Sequence, residues 1–243
     1  MCAPGVSLLQ LLTTSLQLFA VTLFLPRYLL ICKLYSPLQA GAGLVAFGIT
    51  AVPVSGITGV LITRLGYYRW AIWLGWAVSV LGLGLLVMLD VETSTAVWII
   101  ISMCTGAGQG LQLAGHPIAI KQSCGTDDQA HAVCMYTYLR SFGLCLGAIL
   151  TETAFQNFLR TRLVRDGLPI AIAADFEGYV PVLQGLADAD RSKSEIQMAY
   201  AWGFRMLFVT LTSISAFGLL LSLSISHFTM DTPHKRRQSA VQG

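Results

Sequence analysis

The chain has 243 residues, a formal net charge of +3 and a mean hydropathy of +0.67, and only 11% of its residues are charged. Soluble domains carry about a quarter charged residues, so the composition excludes an ordinary water-exposed globule. It also excludes a nucleic-acid-binding face, which needs basic residues clustered on one solvated surface.

Leu, Ile, Val, Phe, Ala and Gly fill blocks of about 20 residues, the length that crosses a bilayer core of about 30 Å. Six such spans follow in chain order, predicting an all-α membrane protein. The first covers about 6–32. Residues Met1 to Val6 lack the positive start of a signal peptide, and the apolar stretch outruns an ordinary signal core, so this helix is expected to stay. The others cover about 37–62, 70–89, 95–119, 129–157 and 199–226. Six spans make two repeats of three. An odd number per repeat forces the second to run inverted relative to the first.

Short polar links join the spans, except at 158–198. That loop mixes Arg160, Arg162, Arg165, Asp166, Asp175, Glu177, Asp188, Asp190, Arg191 and Lys193, and is expected outside the bilayer with some helix at its ends. The expected organisation is a six-helix domain over 1–231 and a basic cytoplasmic tail over 232–243 holding Lys235, Arg236 and Arg237. Arg64 and Arg69 between the second and third spans, together with the tail, place both termini in the cytoplasm by the positive-inside rule; the basic residues of the long loop oppose this.

The six cysteines (Cys2, Cys32, Cys104, Cys124, Cys134 and Cys145) form no CxxC pair and read as small apolar side chains, so no metal is expected. There is no HExxH, no catalytic carboxylate pair and no Gly-rich phosphate loop; neither an enzyme nor a cofactor is expected. Small residues recur at spacing four: Ala51, Ser55 and Gly59, then Gly106 and Gly110 continued by Ala114, then Gly143 and Gly147. Such stripes let helix backbones approach closely in lipid. Pro53 should kink the second span.

Intramembrane charge is costly and marks functional candidates. Arg140 lies about 18 Å along the fifth helix from Asp128 at 1.5 Å per residue, as a cavity or state-locking contact or as a snorkelling side chain. Glu152 is the only acidic residue inside a predicted span. Its depth matches that of Arg205 on the sixth helix, which predicts an ion pair between them; unpaired, it would be a candidate for proton coupling. His116 titrates near neutral pH or merely ends its helix before Pro117. Gln10, Gln17, Gln109 and Gln112 are expected to face the bundle interior, because unpaired amides are costly in lipid.

Several stretches resemble the major facilitator superfamily: Phe24-Leu-Pro-Arg-Tyr-Leu-Leu-Ile-Cys-Lys-Leu-Tyr-Ser-Pro-Leu-Gln-Ala-Gly41, Gly59-Val-Leu-Ile-Thr-Arg-Leu-Gly-Tyr-Tyr-Arg69, Trp73-Leu-Gly-Trp76, Leu89-Asp-Val-Glu-Thr-Ser-Thr95, Arg140-Ser-Phe-Gly-Leu-Cys-Leu-Gly147, Phe155-Gln-Asn157 and Ala199-Tyr-Ala201. In order and spacing they resemble the C-terminal half of fungal fourteen-helix drug/proton antiporters. Arg27, Leu30 and Glu152 depart from that pattern. The resemblance implies half of a major facilitator fold and proton-coupled efflux of small organic molecules across the plasma membrane. It further implies that Gly59, Arg64, Gly66 and Arg69 form a gating loop, and that Gln17, Gln109, Gln112 and His116 lie on cavity-lining helices. One half supplies one wall of such a cavity, so transport is expected to need an N-terminal half or a homodimer. The rival expectations are a non-transporting product of a shortened or wrongly delimited gene, and a small polytopic accessory protein.

Overall fold

The computed structural model describes residues 3–89, 93–122, 128–169, 172, 178 and 191–223. Six helices make up its regular structure: α1 (Ala3–Ile31), α2 (Pro37–Leu65), α3 (Arg69–Val87), α4 (Thr95–Gln122), α5 (Gln129–Arg165) and α6 (Arg191–Leu223). Each contains a stretch long and apolar enough to cross a membrane.

Local chemistry sets the ends of α2. Ser36 caps its start by accepting from the Gln39 backbone N–H at 3.4 Å, while the Gln39 side chain accepts from the Ser36 N–H at 3.1 Å. Pro37 follows at the first helical position, where no N–H is needed. At the other end Gly66 turns left-handed (φ 76°) and donates to the Ile62 carbonyl, a conformation that an L side chain resists. Pro53 leaves α2 as one continuous helix.

Close approach at glycine fixes which helices pair. An ideal Cβ on Gly143 would lie 2.9 Å from the Leu12 carbonyl, and one on Gly147 2.9 Å from the Leu16 carbonyl, so α5 runs parallel to α1. Gly106 and Gly110 meet Phe47 and Ala51 in the same manner, so α4 runs parallel to α2. α3 lies antiparallel to both α4 and α6, with Gly82 against Thr105 and the Trp73 indole donating to the Ser222 carbonyl at 2.9 Å. α1 lies antiparallel to α6, where the Gln10 amide donates to the Gly218 carbonyl at 3.1 Å. Exchanging α1 with α4, α2 with α5 and α3 with α6 turns the α1–α5 contact into α4–α2, and α1–α6 into α4–α3. This is the pattern of two inverted three-helix repeats, half of a major facilitator fold.

In lipid no hydrophobic effect draws helices together, so dispersion in such seams and between rings must hold the bundle. An aromatic cluster does this between α1, α5 and α6: Phe24, Tyr28, Phe155 and Phe204 are all buried, and the Phe155 and Phe204 centroids lie 4.6 Å apart. α2 and α5 are the least covered helices. Only 22% and 11% of their spanning windows are buried, against 56% for α1 and 50% for α4.

Two boundaries differ from the sequence reading. α5 continues eight residues past Asn157 to Arg165, because Leu159 and Leu163 extend its buried stripe and Arg162 bonds Asp166 one turn on at 2.7 Å. α6 begins at Arg191 and not near 199. The remainder of the long link, apart from 166–169, 172 and 178, and the whole 232–243 tail lie outside the described residues.

Candidate functional site

Gln10 and Gln17 of α1 and Gln109 and Gln112 of α4 are buried, with none above 3% exposed. Gln10, Thr14 and Gln17 share one face of α1 by spacing. That face meets α4 in a hydrogen-bonded seam. The Thr14 hydroxyl donates to Gln112 Oε1 at 2.7 Å, and Gln112 Nε2 donates to Ser79 Oγ on α3 at 2.9 Å. His116 Nδ1 sits 2.8 Å from the Gln112 carbonyl oxygen. A carbonyl can only accept, so Nδ1 carries the proton and the neutral ring leaves Nε2 as an acceptor. His116 Nε2, Gln109 Nε2, Gln10 Oε1 and both amide atoms of Gln17 are buried without a hydrogen-bond partner among the described residues.

A cavity of about 40 Å³ opens beside this seam between α1, α4 and α5. Thr14, Ser15, Gln109, Gln112, His116, Tyr136 and Arg140 are its polar lining residues. Arg140 is half-buried and donates to the Tyr136 hydroxyl at 3.0 Å, one turn nearer the helix start. Gln17 does not line the cavity.

The expected Glu152–Arg205 ion pair does not form. Glu152 pairs with Arg27 of α1 at 2.6 Å and also accepts from Gln156 at 3.4 Å. Arg27 lies over the Phe24 ring, 5.2 Å from its centroid. The physical reason is azimuth: α5 presents Glu152 towards its parallel neighbour α1, and matched depth with Arg205 says nothing about facing direction. Both members of the observed pair depart from the superfamily pattern, and that joint departure was the available signal. Arg205 is exposed and lines an open pocket of about 330 Å³ with Arg162, Trp202 and Met88.

The two arginines expected in the α2–α3 link lie at the helix ends, Arg64 in the last turn of α2 and Arg69 at the start of α3, and they differ. Arg69 is stacked 4.7 Å over Trp73, which fixes it. Arg64 is exposed and has no ion-pair partner among the described residues. Tyr68 between them is 2% exposed and anchors the link against Ile62, Ile72 and Trp76. Burial pushes its phenol above the usual range, with the Arg69 charge opposing. Gly66 makes the turn, whereas no atom approaches within 4 Å of a Cβ built on Gly59. Ser55 is likewise only half-buried, so the stripe that starts at Ala51 leaves the bundle there. Sequence reading passed over Thr14, Ser79 and Tyr136, ordinary polar residues within apolar spans. Among the described residues no His, Cys, Asp and Glu cluster could hold a metal ion.

Six spanning helices, glycine-tight seams and a mainly apolar cavity edged by a few polar groups define an integral multi-pass membrane half-domain. No family model matches the chain. Curated relatives do. The "MFS transporter L2" of Phoma sp. is 32% identical over 218 residues, 88% of this chain and 36% of that protein. The "MFS-type efflux pump LUC4" of Fusarium sp. is 28% identical over 89% of this chain and 39% of its own length. The "MFS-type transporter sphD" of Aspergillus fumigatus is 25% identical over 85% of this chain and 37% of its own length. The chain is related to the fungal major facilitator superfamily transporters, as its motifs implied, and spans 36% to 39% of the length of these three. All three are named for transport, none for an enzyme's reaction.

Proposed function

We propose that this six-helix unit is one wall of an efflux transporter, corresponding to the C-terminal half of a fourteen-helix drug/proton antiporter. The observation that carries the reading is the cavity between α1, α4 and α5, where buried polar groups of both repeats meet. A small organic molecule binds there, between this half and a second six-helix half provided by further chain or by another copy. The poorly covered faces of α2 and α5 are the surfaces that meet it. The termini lie in the cytoplasm, the membrane is the plasma membrane, and protons drive export. Arg64, exposed on the cytoplasmic link, takes a carboxylate or helix end of the other half in the inward-closed state and releases it on switching.

Expressing residues 1–243 in a drug-sensitive host tests this. No resistance is expected from a monomer, and resistance is expected on co-expression with the N-terminal half of a relative. Resistance conferred by a chain that cross-linking shows to be monomeric overturns the two-half reading.

A further inference from the structure

We propose that the cavity between α1, α4 and α5 anchors the carboxylate of an organic acid, with Arg140 as its counter-charge. This rests on the transport reading above and names a substrate class for the same site.

The argument starts from charge. Arg140 lies inside the apolar span of α5 and lines the cavity. A guanidinium carries five N–H donors. Arg140 makes one described bond, to the neutral Tyr136 hydroxyl, and no carboxylate pairs with it among the described residues. Neither Asp nor Glu is among the residues that line the cavity. The contrast is Arg27, whose charge Glu152 answers at 2.6 Å in the same pair of helices. A cation within hydrocarbon calls for a partner, and here the described chain supplies none.

A second observation is independent of charge. Gln109 is 3% exposed, lines the same cavity, and its Nε2 has no acceptor among the described residues. The neighbouring Gln112 bonds Thr14 and Ser79 and not Gln109. His116 Nε2 is an acceptor for the reason given above, so it does not compete for an anion. The cavity therefore offers a cation and a buried amide donor and lacks a charged acceptor for them.

Size narrows the class. The space is about 40 Å³, against the roughly 10–15 Å³ that a cavity needs to hold one water. That admits a carboxylate group and leaves the body of the acid outside it. A planar carboxylate also matches the fork of a guanidinium, which accounts for an arginine at this place.

The test uses the 243-residue chain purified into lipid nanodiscs. Trp76 is the reporter, its ring centroid 6.4 Å from His116. Benzoate is titrated beside benzamide, its neutral counterpart of the same shape. Saturable benzoate binding is expected, at least about tenfold tighter than benzamide. Arg140→Gln should weaken benzoate about ten- to a hundredfold, the range for a hydrogen bond to a charged group, and leave benzamide unchanged. Arg140→Lys should retain part of the preference, because it keeps the charge and loses the fork. Gln109→Leu should give an intermediate loss. Equal binding of the two probes, no benzoate binding by the folded wild type, or benzoate binding unchanged in Arg140→Gln overturns the proposal; in the last case Arg140 answers an acidic side chain elsewhere in the transporter. If Arg140→Gln fails to fold, the wild-type comparison and Arg140→Lys decide. Charge-blind binding in an exporting assembly sinks this inference alone. Charge-selective binding without export sinks the transport reading alone.

Discussion

Removing one partner of the Arg27–Glu152 pair should cost far more than removing both. Two unit charges about 4 Å apart attract by about 4 kcal/mol at an effective dielectric of about 20. Exposed pairs keep about 0–1 kcal/mol of that, whereas breaking a buried pair costs about 3–5 kcal/mol, because the orphaned charge stays desolvated. The Arg27 and Glu152 side chains are 18% and 30% exposed, which puts them between these limits. Arg27→Leu or Glu152→Leu alone should therefore cost about 2 kcal/mol. The double variant should fall within about 1 kcal/mol of wild type, since two apolar side chains suit lipid as well as a pair does. The assay is unfolding of the purified chain in mixed micelles at increasing SDS, followed by tryptophan fluorescence, run as a double-mutant cycle. The loss of the Arg27–Phe24 contact occurs in both backgrounds and cancels. Single effects that simply add, with a coupling below about 0.5 kcal/mol, would refute the reasoning and reduce the pair to a geometric coincidence.

Gly147→Leu should cost more than about 3 kcal/mol in the same assay, because its side chain would drive into the backbone of Leu16, whereas Gly48→Ala, with nothing within 4 Å, should be neutral or mildly stabilising. Thr14→Val should cost about 1–3 kcal/mol by leaving Gln112 Oε1 buried without its donor; an unchanged unfolding midpoint would show that the seam adds no stability. In a complete transporter, Arg64→Ala should lower turnover with substrate binding retained, measured as equilibrium binding beside single-turnover export; lost binding with a normal rate per bound substrate contradicts a gating role.

Elements were legible where local chemistry marks them. The start of α2 was expected at about 37 from the apolar span alone and lies at Pro37, where the Ser36–Gln39 capping box fixes it without a tertiary partner. Hydropathy hid the end of α5: Arg160, Arg162 and Arg165 read as loop, although the spacing-four stripe through Phe155, Leu159 and Leu163 ran on beneath them. Burial of the glutamines followed from the cost of amides in lipid, but their partners did not. Thr14 and Ser79 come from helices whose rotation no single-helix pattern specifies. The Glu152 partner failed for the same reason. Rise per residue gives depth, and depth leaves the facing direction open.

The crossed pairing of helices has a consequence for biogenesis. α3 packs on α4 and α6, and α1 finds its tightest neighbour in α5, so the first three helices of this unit share little beyond the contact of α1 with α2. Until the second triplet is inserted, Arg27 waits for Glu152, and Thr14 and Ser79 wait for Gln112. A nascent chain stalled after α3 would hold these polar groups in lipid without the partners that α4 and α5 supply. Docking of the second triplet on the first is thus the step that satisfies the polar groups of both.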